Sequence, residues 1–300
     1  MLHSSIDRWS QRAQHSRSYP SDTHVPELNL FIPAFLDRAL KDEMTRTRTS
    51  ASSIVASALA EYFHTPLHTL FQVSTSGALV EGVYTGAISS EVILKHGDFG
   101  LGTFENLDGE MVVLDGHIYR ARGDGTVTEA PVDACAPFAV VTRFAPDVDL
   151  SIEPADSLDT LMQRCDEHRQ SNNIFYAIRL DGEFHHVRMR AVSPSSDGAR
   201  LVDAAKAQSE FELSEIRGTL VGLWSPGFSS AFSIAGYHFH FLSDDRVHGG
   251  HLLACSTGSL RLRVEALTDF HLALPENESF LKADLSKNSA GELAYAEQAH

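Results

Sequence analysis

Cysteine is scarce in this chain of 300 residues. There are three, Cys135, Cys165 and Cys255, far apart and with no CxxC spacing. That usage argues against a disulfide framework or a cysteine-rich zinc knuckle, and a reducing compartment, the cytoplasm, fits it best. We read the three thiols as small buried apolar groups. Long apolar runs are missing too: nothing approaches the roughly 20 residues that a membrane-spanning helix needs. Cations are few, 24 Lys and Arg against 40 Asp and Glu, so the formal net charge is −16. A surface so short of positive charge is a poor partner for nucleic acid or for an anionic membrane. The glycines between Leu94 and Asp115 form neither a GxGxxG fingerprint nor the Gly-Lys-Ser/Thr of a phosphate-binding loop.

With 43% hydrophobic and 21% charged residues, the composition is that of a soluble globular protein. Residues 1–26 are polar, lack hydrophobic periodicity and lack the apolar centre of a secretory signal, so they are expected to be a disordered leader. The stretch from Phe35 to His64 has apolar residues at helical spacings and predicts one or two helices. Ser89 to Lys95 predicts a short helix capped by Ser89 or Ser90, and Asp156 to His168 a longer one behind Ser157. MVVLDGHIYRA reads as a hairpin turning at Asp115-Gly116. IFYAIRLDGEFHHVRMRAV reads as two strands around Asp181-Gly182, and GTLVGLWSP, YHFHFLS, HLLAC and LRLRVEAL as further short strands.

The expected class is α+β in two domains. Residues 27–150 form an N-terminal α/β domain with a mixed sheet. Residues 151–275 form a β-rich metal-binding domain of sandwich or barrel type, and residues 276–300 a tail folded back to the active site. The boundary falls in the Pro/Asp-rich stretch APDVDLSIEPADS.

The chemistry is sharpest in Gly236-Tyr237-His238-Phe239-His240-Phe241. Side chains of a strand alternate faces, so His238 and His240 point one way and the aromatics the other. A third imidazole on the returning strand would complete a site with an open position for water or substrate. His251 is preferred because it follows Gly249-Gly250 and opens the run HLLAC; His248 competes with it. Hydrogen-bonded core histidines are the rival reading of the same pattern. Imidazole suits zinc, copper, iron and nickel alike, so the ligands do not choose the metal. Gly97, Gly100 and Gly102 suggest a backbone that closely approaches a ligand or another strand. Glu110 is either a solvated strand end or an acid–base group. Arg188 and Arg190 share a strand face, from which one could pair with a substrate carboxylate.

Five segments in order carry a wider resemblance: LFQVSTSGALVEGVY, LKHGDFGLGTFENLDGEMVVLDG, FYAIRLDGEF, GTLVGLWSP and GYHFHFLSDDRVHGGHLL. Over most of the chain, from about Leu70 onward, the sequence resembles alpha-acetolactate decarboxylase. The resemblance implies a zinc enzyme that converts 2-acetolactate to acetoin and CO2, feeding acetoin and butanediol metabolism, and it implies a homodimer. It maps the metal histidines onto His238, His240 and His251, a glutamate at the metal onto Glu110, and a pocket threonine onto Thr103. It places a second glutamate in the tail, at Glu297 or else Glu292. The active-site arginine falls at Arg190, with Arg188 in reserve because Ala191 stands where the family usually has Thr or Ser. The metal would act as a Lewis acid on the ketone and hydroxyl oxygens of the substrate. Arg190 would orient and neutralise the carboxylate while Glu110 or Glu297 completes proton transfer. The competing function is a catalytically silent metal or small-ligand binding module on the same fold.

Overall fold

The computed structural model describes residues 29–47, 49–63, 67–206, 208–287 and 291–293. The leader expected at 1–26 and the tail residue Glu297 lie outside the described residues. In chain order the elements are α1 (Ala34–Thr47), α2 (Ala51–Tyr62), β1 (Thr69–Val73), α3 (Ser76–Val80), β2 (Ile88–Ser89), α4 (Ser90–His96), β3 (Phe99–Thr103), β4 (Glu110–Leu114), β5 (His117–Ala121), β6 (Val127–Glu129), β7 (Cys135–Ala136), β8 (Phe138–Thr142), β9 (Val148–Ile152), α5 (Leu158–Asp166), β10 (Phe175–Ala191), α6 (Leu201–Lys206), β11 (Ser209–Ser225), β12 (Gly236–Ser243), β13 (Gly249–Leu267), β14 (Asp269–Ala273) and α7 (Glu278–Lys282). The class is α+β, as the sequence predicts. None of the described helices is long and apolar enough to cross a membrane.

Two sheets dominate. The first runs β14-β1-β8-β3-β4-β5-β6, antiparallel throughout except for the parallel pair β1–β14. The second runs β10-β11-β12-β13-β9, and β10 also pairs with β13, so four of its strands close on themselves. The boundary expected between residues 150 and 151 falls inside β9, which belongs to the second sheet. After β13 the chain crosses back, and β14 becomes an edge of the first sheet.

Alternation along the strands builds three apolar layers. Leu101, Val112, Leu114, Phe138 and Val140 of the first sheet share a core with Ala177, Val221, Leu223 and Leu242 of the second. The other face of the first sheet carries Phe71, Met111, Val113 and Val141 against Ile93 of α4. Ile178, Leu180, Phe184, Leu220, Phe241 and Leu262 pack with Leu161 and Cys165 of α5. With apolar cover on both faces, strands such as β4 and β8 read as unbroken runs, EMVVL and FAVVT. Close strand approach also explains the glycines of β3. A Cβ at Gly102 would lie 2.5 Å from the Phe138 carbonyl oxygen on β8.

The helices follow their expected starts. Ser157 caps α5 by accepting from the Thr160 amide at 3.2 Å, and Ser89 occupies the N-cap of α4. The Asp115-Gly116 turn is present, both residues at positive φ (52° and 79°) between β4 and β5. Asp181-Gly182 differs from expectation: β10 is one strand of 17 residues that passes straight through it. The reason is the partners of Asp181. Its carboxylate accepts from Arg179 Nε at 3.0 Å, Arg263 Nη2 at 2.7 Å and Thr219 Oγ1 at 2.9 Å, side chains from its own and both flanking strands. Cross-strand pairing therefore continues on both sides, and the glycine absorbs a register shift against β13 instead of a reversal. GTLVGLWSP is likewise the second half of a 17-residue β11, and HLLAC and LRLRVEAL merge into a 19-residue β13.

Arg179 also reaches Asp115 at 2.5 Å, so this network ties the β4–β5 turn of the first sheet to the second. Arg179 and Arg263 are only 3% and 5% exposed. Asp181→Ala would strip an acceptor from two buried guanidinium groups at once. It is expected to cost about 3–5 kcal/mol of stability, read as a lower urea midpoint.

Candidate metal centre

Strand register assembles the site. His240 on β12 pairs with His251 on β13, and His251 pairs on its other side with Arg190 on β10. Three adjacent strands thus bring an arginine and two imidazoles into one row, and His238 follows at i−2 on β12. Gly250 permits the approach, since a Cβ there would lie 2.5 Å from the Arg190 carbonyl oxygen. The facing sheet contributes Thr103 and Glu110, which are register partners on β3 and β4.

The three imidazoles are buried and form one cluster. A nitrogen of each lies within 4.8 Å of the others, so the group could hold a metal ion. His238 Nε2 and His251 Nδ1 face each other at 3.1 Å. His240 Nδ1 donates to the Met111 carbonyl oxygen at 2.8 Å, which assigns the proton to Nδ1 and leaves Nε2 as the donor atom for a metal. The Glu110 carboxylate stands 3.7 Å from that Nε2. Burial first, and then the charge of Arg190, push the His238 imidazole down to about 3. It is therefore neutral at pH 7, the form that binds metal. A buried three-imidazole set with an adjacent carboxylate fits a divalent ion of borderline softness.

These groups line one small cavity of about 40 Å³. Thr103, Glu110, Arg190 and the three histidines are its polar part, and Leu79, Leu107, Phe138, Val192, Leu201 and Ile234 its apolar part. Arg190 is 4% exposed and its Nη1 donates to Gln208 Oε1 at 3.0 Å. Thr103 Oγ1 donates to the Gly109 carbonyl oxygen at 3.0 Å. Arg188 is not among the cavity residues and sits 3.8 Å from Glu210. His248 lies in the β12–β13 turn, its amide donating to Ser243 Oγ at 2.9 Å, outside the cluster. Glu292 pairs with Arg200 at 2.5 Å.

Sequence reasoning missed Gln208, the Met111 carbonyl and the apolar wall. The signal for Gln208 is the β10–β11 hairpin, which pairs Ala191 with Ser209 and so sets residue 208 beside the end of β10.

A family model described as alpha-acetolactate decarboxylase matches residues 70–287. The chain belongs to that family. An alpha-acetolactate decarboxylase of Methylococcus capsulatus is 40% identical over 222 residues, 74% of this chain and 85% of that protein. One from Bacillus licheniformis is 35% identical over 223 residues, 74% and 88% of the two chains. The crystal structure of alpha-acetolactate decarboxylase from Bacillus subtilis superposes with a TM-score of 0.75 at 34% identity, covering 77% of this chain and all of that one. The family match begins at residue 70, so α1 and α2 precede it.

His251→Ala is expected to weaken divalent-metal binding by more than about 100-fold, beyond the loss typical of an outer-shell residue, whereas His248→Ala should leave it intact; metal analysis after dialysis compares them. The sign of the pH effect also follows. His238 is held neutral in the fold at pH values where the unfolded chain, with an ordinary histidine near 6.5, takes up a proton. Metal-free protein should keep its full stability above pH 6.5 and lose it progressively as pH falls toward about 3. His238→Gln should flatten that slope in denaturation curves taken across the range.

Proposed function

We propose that this chain decarboxylates 2-acetolactate (2-hydroxy-2-methyl-3-oxobutanoate) to acetoin and CO2. In this reading zinc is held by His238, His240 and His251, and Glu110 and Glu297 complete the polar set. A cytoplasmic homodimer belongs to the same reading. The observation that carries it is the convergence of three imidazoles, a carboxylate and a buried guanidinium in one small cavity, in a chain of this family.

Held by His238, His240 and His251, the ion would supply Lewis acidity to the substrate, whose ketone oxygen gains charge as the C–C bond breaks. Arg190 offers a planar fork to the substrate carboxylate and sets its direction relative to the histidine row. The apolar wall of Leu79, Phe138, Val192, Leu201 and Ile234 strips water from that carboxylate. Loss of CO2 requires this, because a fully hydrated carboxylate is stabilised in the ground state.

A proton must then reach one face of the carbanionic carbon. A guanidinium holds its proton firmly and is a poor donor near neutrality. Glu110, beside His240, or Glu297 is the better relay, with Arg190 kept for orientation and charge neutralisation. Thr103 contributes a wall whose hydroxyl is tied to the Gly109 carbonyl.

The test is acetoin formation from racemic acetolactate, with and without a chelator. Chelator-sensitive acetoin formation is expected. Stoichiometric metal without acetoin would favour the silent binding module, and a chain that takes up no metal would sink the central claim. Arg190→Lys is expected to lower turnover on the order of 10²-fold, because a point charge cannot replace the bidentate fork. Near-normal turnover and stereochemistry in that variant would show the fork to be dispensable.

A further inference from the structure

Arg190 is engaged from outside the cavity by a relay of side chains that the chemistry above does not use. Its Nη1 donates to Gln208 Oε1 at 3.0 Å. Gln208 is half-buried between α6 and β11 and is not among the residues lining the cavity. Its Nε2 donates in turn to Glu210 Oε1 at 3.3 Å, and Glu210 Oε2 lies 3.8 Å from Arg188 Nε. Glu210 is exposed and is the register partner of Arg190 on β11. The chemistry of the two ends settles which way round the amide sits. A guanidinium can only donate, so the carbonyl faces Arg190; a carboxylate can only accept, so the NH2 faces Glu210. From Arg190 to Arg188 the formal charges read plus, zero, minus, plus. Negative charge enters this relay only at Glu210, at the surface, where Arg188 engages it.

We propose that Gln208 is a positioning residue for the Arg190 guanidinium, and that its neutral amide keeps the arginine's charge available to a ligand carboxylate. The Gln208 carbonyl fixes one end of the guanidinium plane, so the fork keeps one bearing on the cavity. A carboxylate in its place would hold the guanidinium equally well but would compete with the ligand for its charge. The amide holds it without competing. Glu210 and Arg188 orient the amide, and Gln208 acts through Arg190. The ligand class follows: a small 2-hydroxy carboxylate depends on this relay, and an uncharged hydroxyketone does not. This rests on the decarboxylase reading, in which Arg190 meets the substrate carboxylate.

The experiment uses the full chain loaded with zinc. It compares wild type with Gln208→Met, which removes the amide acceptor, and Gln208→Glu, which keeps an acceptor and adds a charge. Calorimetry measures binding of 2-hydroxy-2-methylpropanoate, a 2-hydroxy carboxylate with no ketone, and of acetoin, which has no carboxylate. Acetolactate kinetics and thermal melting accompany it. Gln208→Met is expected to weaken hydroxy-acid binding about tenfold, the size of one hydrogen bond to a charged group. Gln208→Glu should weaken it at least as much, through charge instead of geometry, and raise KM for acetolactate. Acetoin binding and melting temperature should stay near those of wild type in both variants. Unchanged hydroxy-acid binding in Gln208→Met would overturn the positioning role. Wild-type affinity in Gln208→Glu would overturn the claim for the neutral amide. Equal losses for the hydroxy acid and acetoin would mark general damage to the cavity and overturn both. A wild-type chain that binds the hydroxy acid in this Gln208-dependent way yet forms no acetoin would sink the decarboxylase reading and leave the positioning role standing.

Discussion

One hydrogen bond links the two sheets at the place where the chemistry sits. His240, on the closed second sheet, donates through Nδ1 to the Met111 carbonyl oxygen of β4, on the first. A carbonyl committed to an imidazole cannot also serve a misregistered neighbour, so this contact selects one alignment of the sheets. The same alignment sets Glu110, the residue before Met111, beside His240 Nε2. It also brings Thr103 and Phe138 to the cavity wall, because Thr103 pairs with Glu110 on one side and with Phe138 on the other. Orientation of a ligand and docking of two sheets are thus a single event.

The second sheet carries the larger share of the site because its strands are long and mutually paired. Arg190, His251 and His240 come from three strands yet form one lateral row. Such a row is stiff, since each residue is held by ladders on both sides. The Asp181 network braces it from further along the same strand, joining Arg179, Arg263 and Thr219 and reaching Asp115 in the facing sheet through Arg179.

Local patterns in the sequence were enough to reveal the helix starts, the β4–β5 turn and the shared face of His238 and His240, because each depends on neighbours within a few residues. Arg190 and Glu110 required the family resemblance, since nothing in MRAV or DGEM distinguishes a buried charge from a solvated one. Asp181-Gly182 misled for a definite reason. Asp-Gly favours reversal only when its carboxylate is free to serve the local backbone, and here Arg179 on the same strand and Arg263 from a distant one claim it. The apolar wall was invisible because it belongs to a cavity made by elements more than a hundred residues apart.

The return of β14 to the first sheet has a consequence for how the chain acquires its structure. Thr69 of β1 takes Asp269 of β14 as its parallel partner, and until that late strand arrives β1 is an open edge beside β8. During synthesis the first sheet can be assembled from β1 to β8 and then must wait, its edge uncovered, until residues 143–268 have been made. Such a pairing closes a very long loop, which slows folding and exposes an unpaired strand to other nascent copies. The final strand acts as the chain's own edge guard, and a product cut short before residue 269 would emerge from the ribosome with its β1 edge still open.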